Sequence, residues 1–172
     1  MATQKWAIDP THSEIQFKVR HMMITNVTGS FSTFSATAET ENDDFTNAKI
    51  SFSAAIDSIS TGNAQRDGHL KADDFFAAAQ YPTLEFVATS YKNSELSGNL
   101  TIRGITKAVK LNVEFGGITK DGWGNTKAGF SIEGKINRKD FGLQWSSVTE
   151  AGSIVVSDEV KLLAEVQLVK QA

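Results

Sequence analysis

Glu14-Ile15-Gln16-Phe17-Lys18-Val19-Arg20-His21 is the stretch from which the fold is read. Ile15, Phe17 and Val19 fall on one side, and Gln16, Lys18 and Arg20 on the other. A period of two is the mark of a strand with one face in an apolar core and one in water. Upstream, Thr3-Gln4-Lys5 leads into Trp6, which reads as a plug that starts this first strand. Downstream, His21-Met22-Met23-Ile24 breaks the alternation at a bend.

The same beat recurs along the chain. Val27 to Glu39 is β-branched and aromatic, with a parity slip between Phe31 and Phe34 that suggests a bulge. Asn42-Asp43-Asp44 is a turn cluster. Ala48 to Ser58 sets Ile50, Phe52, Ala54 and Ile56 against polar neighbours. Thr83 to Tyr91 and Glu95 to Ile102 follow, joined at Asn93-Ser94. Val109, Leu111, Val113 and Phe115 form the next apolar face, and the turn chemistry of Lys120 to Asn125 marks a hairpin. Ala128 to Asn137 carries Phe130, Ile132 and Ile136 in phase with Gly134, where a neighbour is expected to approach closely. Val160 to Leu168 closes the series. About eight strands with one apolar face each, joined mostly by short turns, must stack as two sheets or close on themselves. Their length and their many Phe and Ile favour closure, giving an all-β, eight-stranded antiparallel barrel from a single domain, residues 1–172.

One segment departs from the pattern. Residues 63–80 read as a short helical insertion, with Asn63 as N-cap of a helix running to Leu70 or Lys71. Asp73 or Asp74 is placed to cap a second turn carrying Phe75 and Phe76. Tyr81-Pro82 ends it, because the residue before a proline is driven from the helical region. A dense non-strand insertion in a β chain is where a lid is expected.

Composition excludes several function classes. The 172 residues carry a formal net charge of −3 and no run of basic residues, which argues against nucleic acid. Zero cysteines remove disulfides and thiol catalysis. No apolar run approaches the ~20 residues of a membrane helix. With no leader pattern at Met1 to Asp9, the expected compartment is the cytoplasm, or the periplasm if a leader has been removed. No nucleophile elbow, phosphate loop or zinc-protease motif occurs, and Gly122-Trp123-Gly124 lacks the third glycine of a dinucleotide fingerprint. His12, His21 and His69 show neither i,i+2 nor i,i+4 spacing, so no metal or other cofactor is expected.

Several stretches carry a resemblance. Trp6, Ile8, Asp9, His12, Ser13, Ile15, Phe17, Val19 and His21 form one pattern. Arg66, Asp67, His69, Leu70, Asp74, Phe75, Phe76, Tyr81, Pro82, Leu84 and Phe86 form a second. Gly98 to Gly104, Arg138-Lys139-Asp140-Phe141-Gly142 and Ser157-Asp158-Glu159-Val160 complete the set. In this order and spacing they resemble the YceI-like family of polyisoprenoid-binding proteins, over about Trp6 to Val169. The resemblance implies a lipocalin-like barrel that holds a polyisoprenoid, an isoprenoid quinone or a fatty-acid derivative, and no catalysis. Homodimers are common in that family.

If the lumen holds such a chain, the alternation nominates Phe17, Val19, Phe52, Ile56, Phe86, Phe115, Phe130 and Ile132 as its lining. Phe75 and Phe76 become an apolar hinge, and His12, Arg66 and His69 the polar mouth that selects a head group. Against this stands a packed core with Arg66 as an anchor, bonded to loop carbonyls or paired with Asp9. Trp123 and Trp145 are read as loop covers. Two rivals belong to other classes. A lipid-modifying or isomerising enzyme would need an acid–base group such as Glu14, Glu85 or a histidine inside the barrel. A stress-linked interaction module would show a closed, empty core and an exposed apolar patch.

Overall fold

The computed structural model describes residues 3–22, 24–73, 75–143 and 156–171; Met23, Asp74 and Trp145 lie outside them. The alternating stretches form strands β1 (Gln4–Ile8), β2 (Glu14–His21), β3 (Thr25–Phe31), β4 (Phe34–Thr40), β5 (Lys49–Ala55), β6 (Ile59–Ser60), β7 (Thr83–Lys92), β8 (Glu95–Ile102), β9 (Ile105–Lys120), β10 (Thr126–Asn137) and β11 (Glu159–Lys170). Every pairing between these strands is antiparallel. The ring β1-β4-β5-β7-β8-β9-β10-β11 closes where Trp6 meets Lys170 and Ile8 meets Leu168. This is the closed eight-stranded barrel expected from the alternation, with one short helix, α1 (Ala64–Lys71).

Two of the eight staves are broken. β1 and β2 lie end to end along β11, which pairs with Ile8 through Leu168 and with Ile15 through Ala164. Between them Asp9 accepts the Thr11 N–H at 3.0 Å and Pro10 starts a single helical turn, Pro10–His12, that stands out from the wall. β3 and β4 are likewise two halves of the second stave, interrupted at Ser32-Thr33. The bulge expected inside one strand is therefore a full break. Its cause is a change of neighbours, since β3 pairs with β2 and β6 while β4 pairs with β1 and β5.

The two ends of the barrel differ. At one end the turn after β4 folds inward and Phe45 fills the opening. Phe45 is 0% exposed and adopts φ +63°, a left-handed conformation that a phenylalanine holds only when its surroundings impose it. Its ring lies 5.1 Å from Trp6, 5.1 Å from Phe130 and 5.8 Å from Phe115. The Asn47 N–H donating to the Tyr91 carbonyl at 2.9 Å fixes this floor to β7. At the other end β5 is short, and residues 56–82, α1 included, complete the wall.

Close packing across strands sets the size of the interior. Phe17 pairs with Gly29, and a Cβ on Gly29 would overlap the Phe17 ring. A Cβ on Gly98 would overlap Phe86, and one on Gly134 would overlap Leu111, the close approach expected there. Phe17, Phe86 and Leu111 thus each lean over a neighbouring glycine, along the wall.

An ionic clasp holds the protruding turn to the outer wall near the floor. Asp9 is 2.7 Å from His12 Nδ1 and 2.9 Å from Lys127 Nζ, and Lys127 is 3.9 Å from Asp121. The His12 hydrogen bond, then that of Lys127, lowers the Asp9 pKa to about 2. A carboxyl whose pKa is depressed on folding contributes stability above its unfolded pKa, and that contribution is lost as pH falls through the folded value. Asp9→Asn is therefore expected to cost roughly 1 kcal/mol at neutral pH, allowing for solvent screening. The difference should vanish between about pH 4 and pH 2 in paired denaturant melts.

Candidate functional site

Inward side chains of the eight staves leave an internal cavity of about 390 Å³. It runs from Phe45, Tyr91 and Leu168 at the floor to Thr61, Arg66 and His69 at the other end, lined almost throughout by aliphatic and aromatic side chains. Val160 to Leu168 of β11 borders it over most of its length, a span of roughly 20 Å along a tilted barrel axis. The cavity is long, narrow and dry in character.

Its mouth is built by α1 and the loop before it. Asn63 caps the helix by accepting the Arg66 N–H at 3.0 Å, the role its sequence position suggests. Thr61 donates to Asp67 from its N–H at 2.8 Å and from its hydroxyl at 2.6 Å. Arg66 in turn donates from Nε to the Thr61 hydroxyl and from a terminal nitrogen to the Thr61 carbonyl, both at 2.7 Å. Thr61 so fixes Asp67 and Arg66 together, and the guanidinium stays exposed beside the cavity. The anchoring alternative for Arg66 is realised through a loop carbonyl, while Asp9 belongs to the clasp on the outer wall. Beyond α1 the chain coils tightly, with Phe76 N–H donating to the Leu70 carbonyl at 3.0 Å and Ala78 N–H to the Lys71 carbonyl at 2.9 Å. This coil presents Phe75 and Phe76 to the lumen. His69 meets Phe75 edge to face at 5.1 Å.

The structure brings Phe17, Val19, Phe52, Phe86, Phe130, Ile132, Phe75, Phe76, Arg66 and His69 to this one cavity. Ile56 is buried in a satellite cluster with Phe31, Ala54 and Ile59. Two further nominated residues stand outside the lining. His12 is on the outer wall near the floor, its side chain 56% exposed and held by Asp9, because the turn that carries it bulges away from the barrel. Phe115 packs under the lining, stacked on Phe130 at 5.0 Å and edge to face with Phe45. It keeps the phase that alternation implies, opposite Phe130, and the Phe45 and Phe130 rings packed against it stand between it and the cavity. Trp123 is no loop cover, since it is 88% exposed at its hairpin tip.

Among the lining residues that the sequence reading did not nominate are Phe45, His21 and Arg138. Phe45 hides behind a turn cluster, and His21 sits at a strand end. Arg138 belongs to a motif but looks like a surface charge; it is 2% exposed. It donates to the carbonyls of Leu143 at 2.6 Å, Ser157 at 2.9 Å and Val156 at 3.3 Å, with its Cζ 6.0 Å from the Phe75 ring centre. Burial pushes its pKa down, while Asp158 opposes that. Arg138 thereby ties the start of β11 to the turn after β10 at the mouth.

Chemically, the site offers apolar surface with donors at one end. Among the described residues no carboxylate lines the cavity, and Glu14 and Glu85 are exposed on the outer wall. No group of three or more His, Cys, Asp or Glu among the described residues is placed to hold a metal ion. No helix among them is long and apolar enough to cross a membrane.

Comparisons with known proteins match this geometry. The sequence pattern of the YceI-like domain matches residues 6–168. A UPF0312 protein of Staphylococcus aureus is 34% identical over 163 residues, covering 94% of this chain and 95% of that protein. The crystal structure of a YCEI protein from Campylobacter jejuni superposes with a TM-score of 0.75 at 35% identity, over 90% of this chain and 91% of that one. At 16% identity, a polyisoprenoid binding domain from Saccharophagus degradans shares the fold, with a TM-score of 0.66 over 96% of this chain and 98% of its own. With nearly its whole length matched by the family pattern and by relatives above 30% identity, the chain belongs to the YceI-like family.

Proposed function

We propose that the barrel binds one long-chain amphiphilic lipid, a polyisoprenoid, isoprenoid quinone or fatty-acid derivative, and carries or stores it without catalysis. The observation that carries this reading is the continuous apolar cavity of about 390 Å³ between Phe45 and Arg66. That volume falls in the range of about 300–1,000 Å³ usual for ligand pockets. Each methylene buried contributes about 0.8 kcal/mol, so ten contribute roughly 8 kcal/mol before ordering costs. Affinity then comes from the lumen wall, and an ion pair is not needed for it. The tail points to the floor, where Phe45 and Trp6 close the barrel, and the head group lies among Arg66, His69 and Arg138. The polyisoprenoid-binding neighbour from Saccharophagus degradans supports the ligand class.

Native mass spectrometry of the purified protein should show one lipid per chain, or uptake of one added prenyl alcohol, quinone or fatty amide. Absence of both sinks the reading. Gly29→Ala is expected to lift the Phe17 ring off the wall into the lumen, reducing lipid loading about tenfold while costing only about 1–3 kcal/mol of stability. Loading measured by probe fluorescence alongside thermal melts separates the two effects.

A further inference from the structure

The floor of the lumen is made by a large side chain where the backbone disfavours one. Phe45 stands in the turn between β4 and β5 at φ +63° and is 0% exposed. A left-handed turn residue is ordinarily glycine or asparagine, as Asn47 is two residues later at φ +59°. The Phe45 ring therefore does something that the turn itself does not need. It borders the cavity, and it packs against Trp6 at 5.1 Å and Phe115 at 5.8 Å, neither of which lines the cavity. The wall at this level carries short side chains. Ala38 of β4, paired with Trp6, is 1% exposed, and Ala128 of β10, paired with Leu168, is 0% exposed. Both belong with Phe45 to one buried cluster, and alanines have no reach to fill the place of a lost ring.

We propose that Phe45 determines chain-length specificity, its ring standing where the far end of the guest stops. This role rests on the lumen reading and adds to it the residue that limits which chains fit. Within a blind apolar lumen each further methylene is buried and tightens binding about fourfold. The methylene that meets Phe45 finds no room, so the chain must back out into water at the mouth and the gain ends. Trimming Phe45 joins the space of its ring to the lumen, with the apolar faces of Trp6, Phe115 and Phe130 as the new floor. Phe45→Gly does this while relieving the left-handed backbone. Phe45→Leu shortens the plug and keeps the backbone cost.

The test is pairwise competition of unbranched primary amides of increasing even carbon number for the full chain, read as the ratio of bound masses by native mass spectrometry. Wild type should favour the longer of each pair by roughly tenfold per two carbons, up to a length beyond which the preference ends. Phe45→Gly should move that break to chains longer by about four carbons, the room a phenyl ring leaves, and Phe45→Leu by about two. Should Phe45→Gly fail to fold, Phe45→Leu decides. Phe141→Leu trims a ring that is 1% exposed and does not line the cavity, and it should keep the wild-type break. An unmoved break in the Phe45 variants, an equal shift in Phe141→Leu, or a wild type with no break would overturn the proposal and leave the lumen reading standing. A wild type that takes up no amide, prenyl alcohol or quinone of any length contradicts the lumen reading itself, and the role of Phe45 falls with it.

Discussion

The structure depends on keeping an apolar interior from filling itself. Protein cores ordinarily pack to crystal density, and an eight-stranded ring is narrow enough for its own side chains to fill. Here phenylalanines reach over cross-strand glycines, Phe17 over Gly29 and Phe86 over Gly98, into space that a larger residue there would take. Unfilled apolar volume forfeits contact energy, so the barrel is under-packed in a way that a slender guest would relieve.

The two ends serve this interior differently. At the floor, Phe45 takes a strained backbone conformation to close the opening against Trp6 and Phe130. At the mouth, polar groups are spent on each other and on backbone: Arg66 and Asp67 on Thr61, Arg138 on three carbonyls. The mouth is thereby shaped before any ligand arrives, which lowers the ordering cost of binding. Asp9, His12 and Lys127 do comparable structural work on the outer wall, holding the break in the first stave against β10.

Staves were legible in the sequence because period two is a local property, and α1 because Asn63 caps it, with Tyr81-Pro82 closing the insertion as a whole. What needed three dimensions was the packing of distant segments. Phe115 is in phase with Leu111 and Val113, yet Phe45 and Phe130 pack against it and cover it from the cavity. His12 follows Ile8 by four residues in the same stave, yet the Asp9–Ser13 excursion carries it outside. The break at Ser32-Thr33 resembles a bulge until the differing partners of β3 and β4 are known. Phe45 and Arg138 were hidden by their company, one among turn formers and one in a charged motif. Burial of such residues depends on which distant segments fold over them.

Crystals of the protein loaded with a prenyl or fatty chain brominated at its far end test the central claim most directly. The account predicts one anomalous bromine peak in the lumen close to Phe45, with unbroken density leading to the Arg66 end. A bromine peak outside the barrel, or a lumen occupied by rearranged side chains with no guest, would contradict it.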